Sequence, residues 1–413
     1  MVNRYHLLVL VLLNTMTASL DAMYLLHPYE QMWRPEIRDD FSWQYNVILE
    51  HGFGTQAFNE DGNMTNVLRI WNSSQDALAM LNGFSPLSAI GQLRTKIGAP
   101  DDGVRGHFLV DGDLRYHAGV GLSVRMGLPY HLCVGLHLPF YAFSLRNVCW
   151  QNQTKNLTVD DARVQQYLTN NFFANVTALG DGLNLQGWQR SGLGDLTVLA
   201  EWVQNFKQQK DFLHNVLLQA RFGVGIPTGK KTDEDKIFAL SFGTDGGWYL
   251  VIGGGLTASV ANYLRAGFDV ELTHIFSVNK LRRIKTNVEQ TELLLLQKAY
   301  ALKNYGLTQR FNLFLEAYRF FDGLSAKVGY QFIRHGDDSL SVQGNNFSTF
   351  IANTAKSLEE WTQHNLFFFV SYDGDHDPDA WVHPYASLFV ELPFNGQFIA
   401  HNKVIGAVLS IDF

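Results

Sequence analysis

The sequence predicts an all-β chain: a transmembrane, antiparallel, up-and-down β-barrel of 12 to 14 strands with both termini on the periplasmic side. Three observations predict it. Segments of about ten residues alternate between apolar and polar positions. The connections between them alternate between short and long. The chain ends in an aromatic residue with apolar residues at every second position before it. Composition agrees. The 413 residues carry 32 Lys and Arg against 39 Asp and Glu, a net charge of −7, which gives no basic footprint for a nucleic acid. Charged residues make up 17%, below the roughly 25% of an ordinary soluble chain. A mean hydropathy of −0.07 excludes a bundle of membrane helices but suits strands with one polar face. Two cysteines exclude a disulfide scaffold.

Residues 1–22 read as a signal peptide. A short basic start precedes the apolar run Leu7–Leu20, and Thr17, Ala18 and Ser19 supply small residues near a cleavage site. The run is shorter than the ~20 residues a spanning helix needs. Residues 23–413 then form the barrel, with 23–40 as a periplasmic lead.

The strand argument rests on parity, because successive strand side chains point to opposite faces. Leu114, Tyr116, Ala118, Val120, Leu122, Val124 and Met126 share one face, while Arg115, His117, Ser123 and Arg125 share the other. The same split recurs in 132–140, 216–224, 264–273 and 324–332. Strands are expected near 41–50, 64–71, 105–112, 113–126, 131–145, 192–206, 212–226, 247–260, 262–275, 305–319, 323–335, 364–373, 381–392 and 399–413. The segment from Phe108 to Met126 keeps one parity and also reads as a single strand, so the even count is 12 or 14. Alternation stops between 73 and 100, which reads as a periplasmic excursion or a plug in the lumen. Helical patterns are expected at Gln75–Leu81, Asp160–Asn175 and Glu289–Ala301. Tyr130, Tyr141, Trp248, Tyr263, Tyr318, Trp361, Tyr372 and Trp381 fall near strand ends, as in the aromatic girdles of a membrane barrel.

Charge on the inward parity gives the candidate functional residues: Arg115, Arg125, Arg221, Arg265, Asp269, Glu271, Arg310 and Glu316, joined by Asp195 and Glu201. An Arg or Lys facing lipid at mid-depth costs about 2–4 kcal/mol, so these side chains must face the lumen. There they line a pore, fill a salt-bridged interior, or both. No catalytic constellation stands out. His383 and Ser387 share a strand face but lie ~13 Å apart at ~3.3 Å per residue, too far for a nucleophile and base. His117 and His137 are inward with no evident partner. Asp373, Asp375, His376, Asp377 and Asp379 crowd one turn without the spacing of a calcium loop. Gly253–Gly255 lies inside a strand, as a bend or a close approach at the lumen wall. Cys133 and Cys149 sit too far apart along the chain's path for a disulfide. The reading is therefore of no enzyme, no cofactor and no metal site.

At the carboxyl end, Ile405, Ala407, Leu409, Ile411 and Phe413 alternate along one face. This resembles the terminal strand of bacterial outer-membrane proteins, and the resemblance implies recognition by the barrel-assembly machinery and residence in the outer membrane. Three shorter motifs carry a finer likeness: Leu138-Pro139-Phe140, Ser191-Gly192-Leu193-Gly194-Asp195-Leu196-Thr197 and Gly225-Ile226-Pro227-Thr228-Gly229. Their order resembles the outer-membrane barrels associated with phenol and aromatic degradation, themselves similar to long-chain fatty-acid channels. The amino-terminal hatch of the latter is not evident at Met23–Asp39. The resemblance implies a passive channel for small solutes, hydrophobic or aromatic ones among them. The alternative is a structural or adhesive barrel acting through its long loops, without transport.

Overall fold

A computed structural model describes residues 23, 25–36, 42–260, 263–321, 323–344, 346–374 and 382–413. The expected signal peptide lies outside the described residues, as do Trp381 and the acidic turn from 375 to 381. Twelve antiparallel strands close the barrel. They are β1 Trp43–Phe58, β2 His107–Leu128, β3 Leu132–Asn152, β4 Leu196–Lys207, β5 Leu213–Ile226, β6 Tyr249–Val260, β7 Leu264–Ile275, β8 Leu307–Phe321, β9 Leu324–His335, β10 Trp361–Asp373, β11 His383–Gln397 and β12 Ile399–Asp412. Each pairs with its neighbours in the chain, and β1 closes the ring by pairing with both β2 and β12. At the seam the Trp43 and Phe413 amides and carbonyls exchange hydrogen bonds of 2.7 and 3.0 Å. A closed ring leaves no sheet edge, the condition for strands to cross a membrane.

Four turns at one end are short, of two to five residues. The turn between β2 and β3 holds three residues, with Tyr130 and His131 both in the left-handed region at φ 67° and 63°. Both chain ends of the barrel lie at this end, which is the periplasmic one. At the other end the connections 59–106, 153–195, 227–248, 276–306 and 336–360 build a cap. Val278–Ile284, Gln297–Asn304 and Ser339–Val342 form a small separate sheet there.

Several sequence expectations change. The barrel has 12 strands rather than 14 because 105–112 and 113–126 form one continuous 22-residue strand and 64–71 does not cross the barrel. The expected strand at 64–71 shrinks to Met64–Asn66 on the edge of β1, followed by a 3₁₀ turn. The helical pattern at Glu289–Ala301 gives one 3₁₀ turn, Glu292–Leu294, and then a strand. Its run of leucines, Leu293–Leu296, is buried among the loops, and packing overrides helix propensity. Asp160–Asn175 does become helical, as Val159–Val164 and part of Phe172–Leu179 joined by a π turn. Residues 73–100 lie in the cap, since β1 rises from the periplasmic end. They form neither a periplasmic excursion nor a lumen plug.

Parity fails at one decisive place. A bulge between Tyr116 and Ala118 leaves His117 without a facing residue on β3. A bulge adds one residue to a strand and so exchanges its two faces. Below it Ser123 and Arg125 point inward and Leu122 points out. Above it Leu114 and Tyr116 point inward, and Arg115 is turned to the outer surface, half exposed beside Asp113 at 3.6 Å.

The outward face of the lower barrel is apolar: Leu49, Leu136, Phe222, Ile252, Phe268, Leu313, Phe368 and Leu409 are all exposed. Tyr130, Trp248, Tyr263 and Tyr372 are exposed near the strand ends, but Tyr141 and Trp361 are buried. Tyr141 faces the lumen and Trp361 stacks on His335.

The plugged lumen as candidate functional site

Residues 25–36 run down the lumen, from Leu25 in its upper part to Glu36 near the periplasmic end. They are therefore not a periplasmic lead, and the part of 23–40 beyond Glu36 lies outside the described residues. The segment makes one 3₁₀ turn at Gln31–Trp33, and Leu26, Tyr29, Glu30, Met32, Trp33 and Arg34 are all buried. It is held on every side. The Tyr141 hydroxyl donates to the Leu26 carbonyl at 2.6 Å, and Arg125 donates to the Pro35 carbonyl at 3.0 Å. Trp33 packs on Phe367, Phe369 and Phe389, with ring centroids 5.2, 5.3 and 4.3 Å away. Arg34 forms a bidentate pair with Glu201 of β4 at 2.5 and 2.9 Å. Planar two-point pairing of this kind fixes orientation as well as charge.

Most of the inward charges pair with one another or with the plug. Arg221 bonds both oxygens of Asp269, each at 2.6 Å, and Glu271 at 2.8 Å. Glu271 also pairs with Arg310 at 2.9 Å, and Arg310 pairs with Glu30 of the plug. Arg125 approaches Glu201 at 3.5 Å and donates to Gln44 at 2.6 Å. Arg265 lies nearer the periplasmic end, 3.2 Å from Glu36 and over the Tyr318 ring. Glu316 faces Lys327 at 3.6 Å. Of the eight named charges, only Arg115 is not on the inner wall. The glycine run in β6 makes room for this layer. A Cβ on Gly253 would lie 2.8 Å from Arg221 Nε, and one on Gly255 would lie 3.2 Å from Asp269 Oδ2.

The three sequence motifs converge above this layer. Gly194 and Asp195 interrupt the strand that runs from Trp188 into β4. The Gly194 amide donates to the Pro139 carbonyl at 2.8 Å. The Asp195 carboxylate accepts the amides of Gly229 and Thr244 at 2.8 and 2.6 Å, and the Thr244 hydroxyl at 2.8 Å. Gly229 and Gly243 approach it so closely that a Cβ at either would lie within 2.7 Å of its oxygens. One carboxylate thus pins the loop 227–247 over the break between Leu193 and Leu196.

Around these elements the interior holds a series of cavities. One lies above the plug, lined by Leu25, Tyr29, Tyr141, Phe242 and Tyr249 with Asp195 and Arg310. It shares Gly243 and Thr244 with a second cavity among the loops. The second shares Arg283 and Leu295 with a third, the roomiest of the three, lined by Trp71, Leu183, Ile237, Phe238 and Leu293. Below the plug turn, another space is lined by Met32, Arg34, Arg125, Glu201 and Lys327. It has no lining residue in common with the cavity above.

In the cap, charges are paired rather than free. Burial pushes the Asp245 carboxyl up, but Lys280 and Arg282 at 2.8 and 2.9 Å more than reverse this and hold it low. The Arg105 guanidinium, 2.8 Å from Asp161, holds that carboxyl at about 2, assisted by the amides of Leu157 and Thr158. Asp76, Asp101 and His107 bring their ligand atoms within 4.8 Å of one another. Both aspartates already accept backbone amides there, and Ser74 bonds the far ring nitrogen, so the group is an ion-paired latch at the base of a loop. Cys133 and Cys149 are both free, on one strand. His383 and Ser387 both lie on β11, four residues apart. Asp373 pairs with Arg319 at 2.5 Å.

The sequence missed the plug. Its signal was present in 25–36, where Trp, Tyr, Leu, Glu and Arg crowd into a stretch with no alternation. Such residues need an interior, and the only one available is the lumen.

A closed ring of long strands, with an apolar outer belt and a charged lumen, defines an outer-membrane β-barrel. No family model matches the sequence, and no curated protein matches it. Among solved structures, the chain is similar to an outer membrane channel from Pseudomonas putida F1, with a TM-score of 0.51 at 11% identity over 92% of this chain and 97% of that one. More distant likenesses are the CymD monoaromatic hydrocarbon channel (TM-score 0.32, 9% identity, 91% of this chain and 88% of that one) and a FadL homologue from Pseudomonas aeruginosa (TM-score 0.29, 10% identity, 91% and 90%).

Proposed function

We propose that this protein is a passive channel for small, partly apolar solutes, aromatic ones included, with a lumen closed by residues 25–36. The observation that carries the reading is the chain of cavities. It leads from an apolar cup among the loops, past Arg283 and Thr244, to the aromatic-lined space above the plug. A lumen filled only for stability would be packed at the density of a protein core. Spaces lined mostly by apolar groups with a few placed polar ones are the kind that small-molecule sites use. The plug is held both by the ion pairs of Glu30 and Arg34 and by the packing of Trp33 on Phe367, Phe369 and Phe389.

Ile405, Leu409, Ile411 and Phe413 form the outward face of β12, which borders the closing seam. We read that face, with Ala407, as the strand offered to the barrel-assembly machinery. Conductance of the refolded barrel in planar bilayers, with flux of neutral aromatic solutes into liposomes, tests the channel. Solute entry above that of protein-free liposomes is the expected result. An impermeable barrel, with residues 23–36 present or removed, would leave the structural or adhesive role in its place.

A further inference from the structure

We propose that the outer wall of β12, β1, β2 and β3 holds a docking site for a phosphorylated glycolipid of the outer leaflet, with the lipid's phosphates on Arg115, Arg146 and Lys403. The three cations stand on neighbouring strands, point away from the lumen and are exposed. Lys403 of β12 faces Phe53 of β1. One outward step down β1, His51 donates from Nδ1 to the His117 carbonyl of β2 at 2.8 Å. Arg115 is the next outward residue up β2, and Arg146 of β3 faces Asp113 just above it. Four strands at ~4.8 Å spacing spread the cations over about 15 Å of wall, within reach of one headgroup.

Their height sets them against lipid headgroups. Lys403 stands ten residues above Phe413, and His51 eight above Trp43, the pair that closes the seam at the periplasmic end. At ~3.3 Å per residue and a tilt of about 40°, that is roughly 20–25 Å, the height of an outer-membrane apolar band. Below this line the same wall is apolar, with Leu49, Leu122, Leu136 and Ile405 exposed. The cations above it are short of countercharge. Asp113 accepts the Asn147 amide at 2.6 Å and stands 3.6 Å from Arg115. Asp111, one outward step higher, is taken by Arg69 at 2.6 Å. Arg146 and Lys403 have no ion pair among the described residues. At the upper end of β9, by contrast, Arg334 is held by both oxygens of Glu360, at 2.7 and 2.5 Å. Arg and Lys bind phosphate oxygens by charge-assisted hydrogen bonds, and cations beside an anionic headgroup layer each add to binding. A free anion would use only the upper, charged level of this wall. A lipid uses both levels, with phosphates on the cations and acyl chains on the leucines beneath.

The test titrates diphosphoryl lipid A onto the full-length barrel refolded in a neutral detergent, read by native mass spectrometry, with folding checked by heat-modifiable gel migration. One lipid held per barrel is the expected result. Arg146→Gln combined with Lys403→Gln is expected to weaken it by at least about tenfold. Arg334→Gln, on β9, is expected to leave it unchanged. If the double variant does not fold, Arg115→Gln alone gives a smaller loss in the same direction. Phosphatidylglycerol, whose phosphodiester carries a single charge, is expected to bind at least about tenfold more weakly than lipid A. Lipid A held equally by the double variant, or lost equally in Arg334→Gln, would overturn the proposal. So would equal binding of phosphatidylglycerol, which would reduce the patch to a general attraction for anionic lipid. Displacement of lipid A by an equal concentration of inorganic phosphate would make it a bare anion site and overturn the proposal as well.

Discussion

The lower lumen and the upper chamber of this barrel are held together differently. In the lower lumen, Arg221, Asp269, Glu271, Arg310, Arg34 and Glu201 bond across the space between strands and plug. In the upper chamber the strands above the His117 bulge turn apolar side chains inward, and the loops pack on them. Phe143, Leu145, Phe108, Phe172 and Trp188 are buried there, and Phe108 stacks on Phe172 at 4.0 Å. The upper chamber is organised like the core of a soluble domain. The lower lumen is organised as a set of paired charges around residues 25–36, with Trp33 on an aromatic bed. Each paired charge is costly to orphan and cheap to exchange for another partner, which suits a closure. Close-packed apolar side chains have no such alternative partner and suit a permanent cap.

The comparison can be broken most directly at the plug. Removing residues 23–36 is expected to convert a closed barrel into one that carries continuous current in planar bilayers, with unchanged heat-modifiable migration. A barrel that no longer folds would show that the plug is structural in the same sense as the cap. In the chamber, Phe143→Ala should cost about 3–5 kcal/mol through the cavity it leaves, read as a lower midpoint in denaturant unfolding. In the lumen, Arg34→Ala leaves Glu201 with only the more distant Arg125. Undocking of the plug should become easier by about 3 kcal/mol, the low end for breaking a buried pair. Faster proteolysis within 25–36, with no change in the unfolding midpoint, would show it.

Two smaller effects sharpen the same contrast. The Asp161 carboxyl, held at about 2 in the folded cap by Arg105, has an ordinary value of 3.8. A lowered carboxyl contributes stability that is complete above the unfolded value and is lost as pH falls through the folded one. Hydrogen-exchange protection of 157–179 should therefore persist above pH 4 and fade toward pH 2, and Asp161→Asn should abolish that dependence. The smallest effect is expected at Arg115. Because the bulge places it outside, Arg115→Leu should change stability by no more than about 0.5 kcal/mol and leave conductance unaltered. A change in ion selectivity would mean that the bulge is absent and the strand keeps one parity.

Much of the fold was legible because alternation and the membrane constraint speak together. An Arg at position 125, 221 or 310 in a ten-residue strand has only one tolerable side. That argument needs no knowledge of neighbours, so the inner charges could be read singly. It could not say who pairs with whom. Arg221 lies 48 residues from Asp269, and Arg34 lies 167 from Glu201. Nor could it see the bulge, since one extra residue at His117 leaves the hydrophobic pattern intact while exchanging its faces.

The sequence by itself determined the class of molecule: a barrel with an apolar belt, a charged lumen, short turns at one end and long loops at the other. Those properties follow from the period of the chain and the solvent on each side of it. Only the tertiary structure decided the contents of the lumen. Closing the ring created an interior that no single strand encodes. Residues 25–36, unreadable by period, found there the partners for their charges and a bed for Trp33. The motifs around Pro139, Asp195 and Gly229 likewise acquired a meaning only when the fold brought them to one carboxylate.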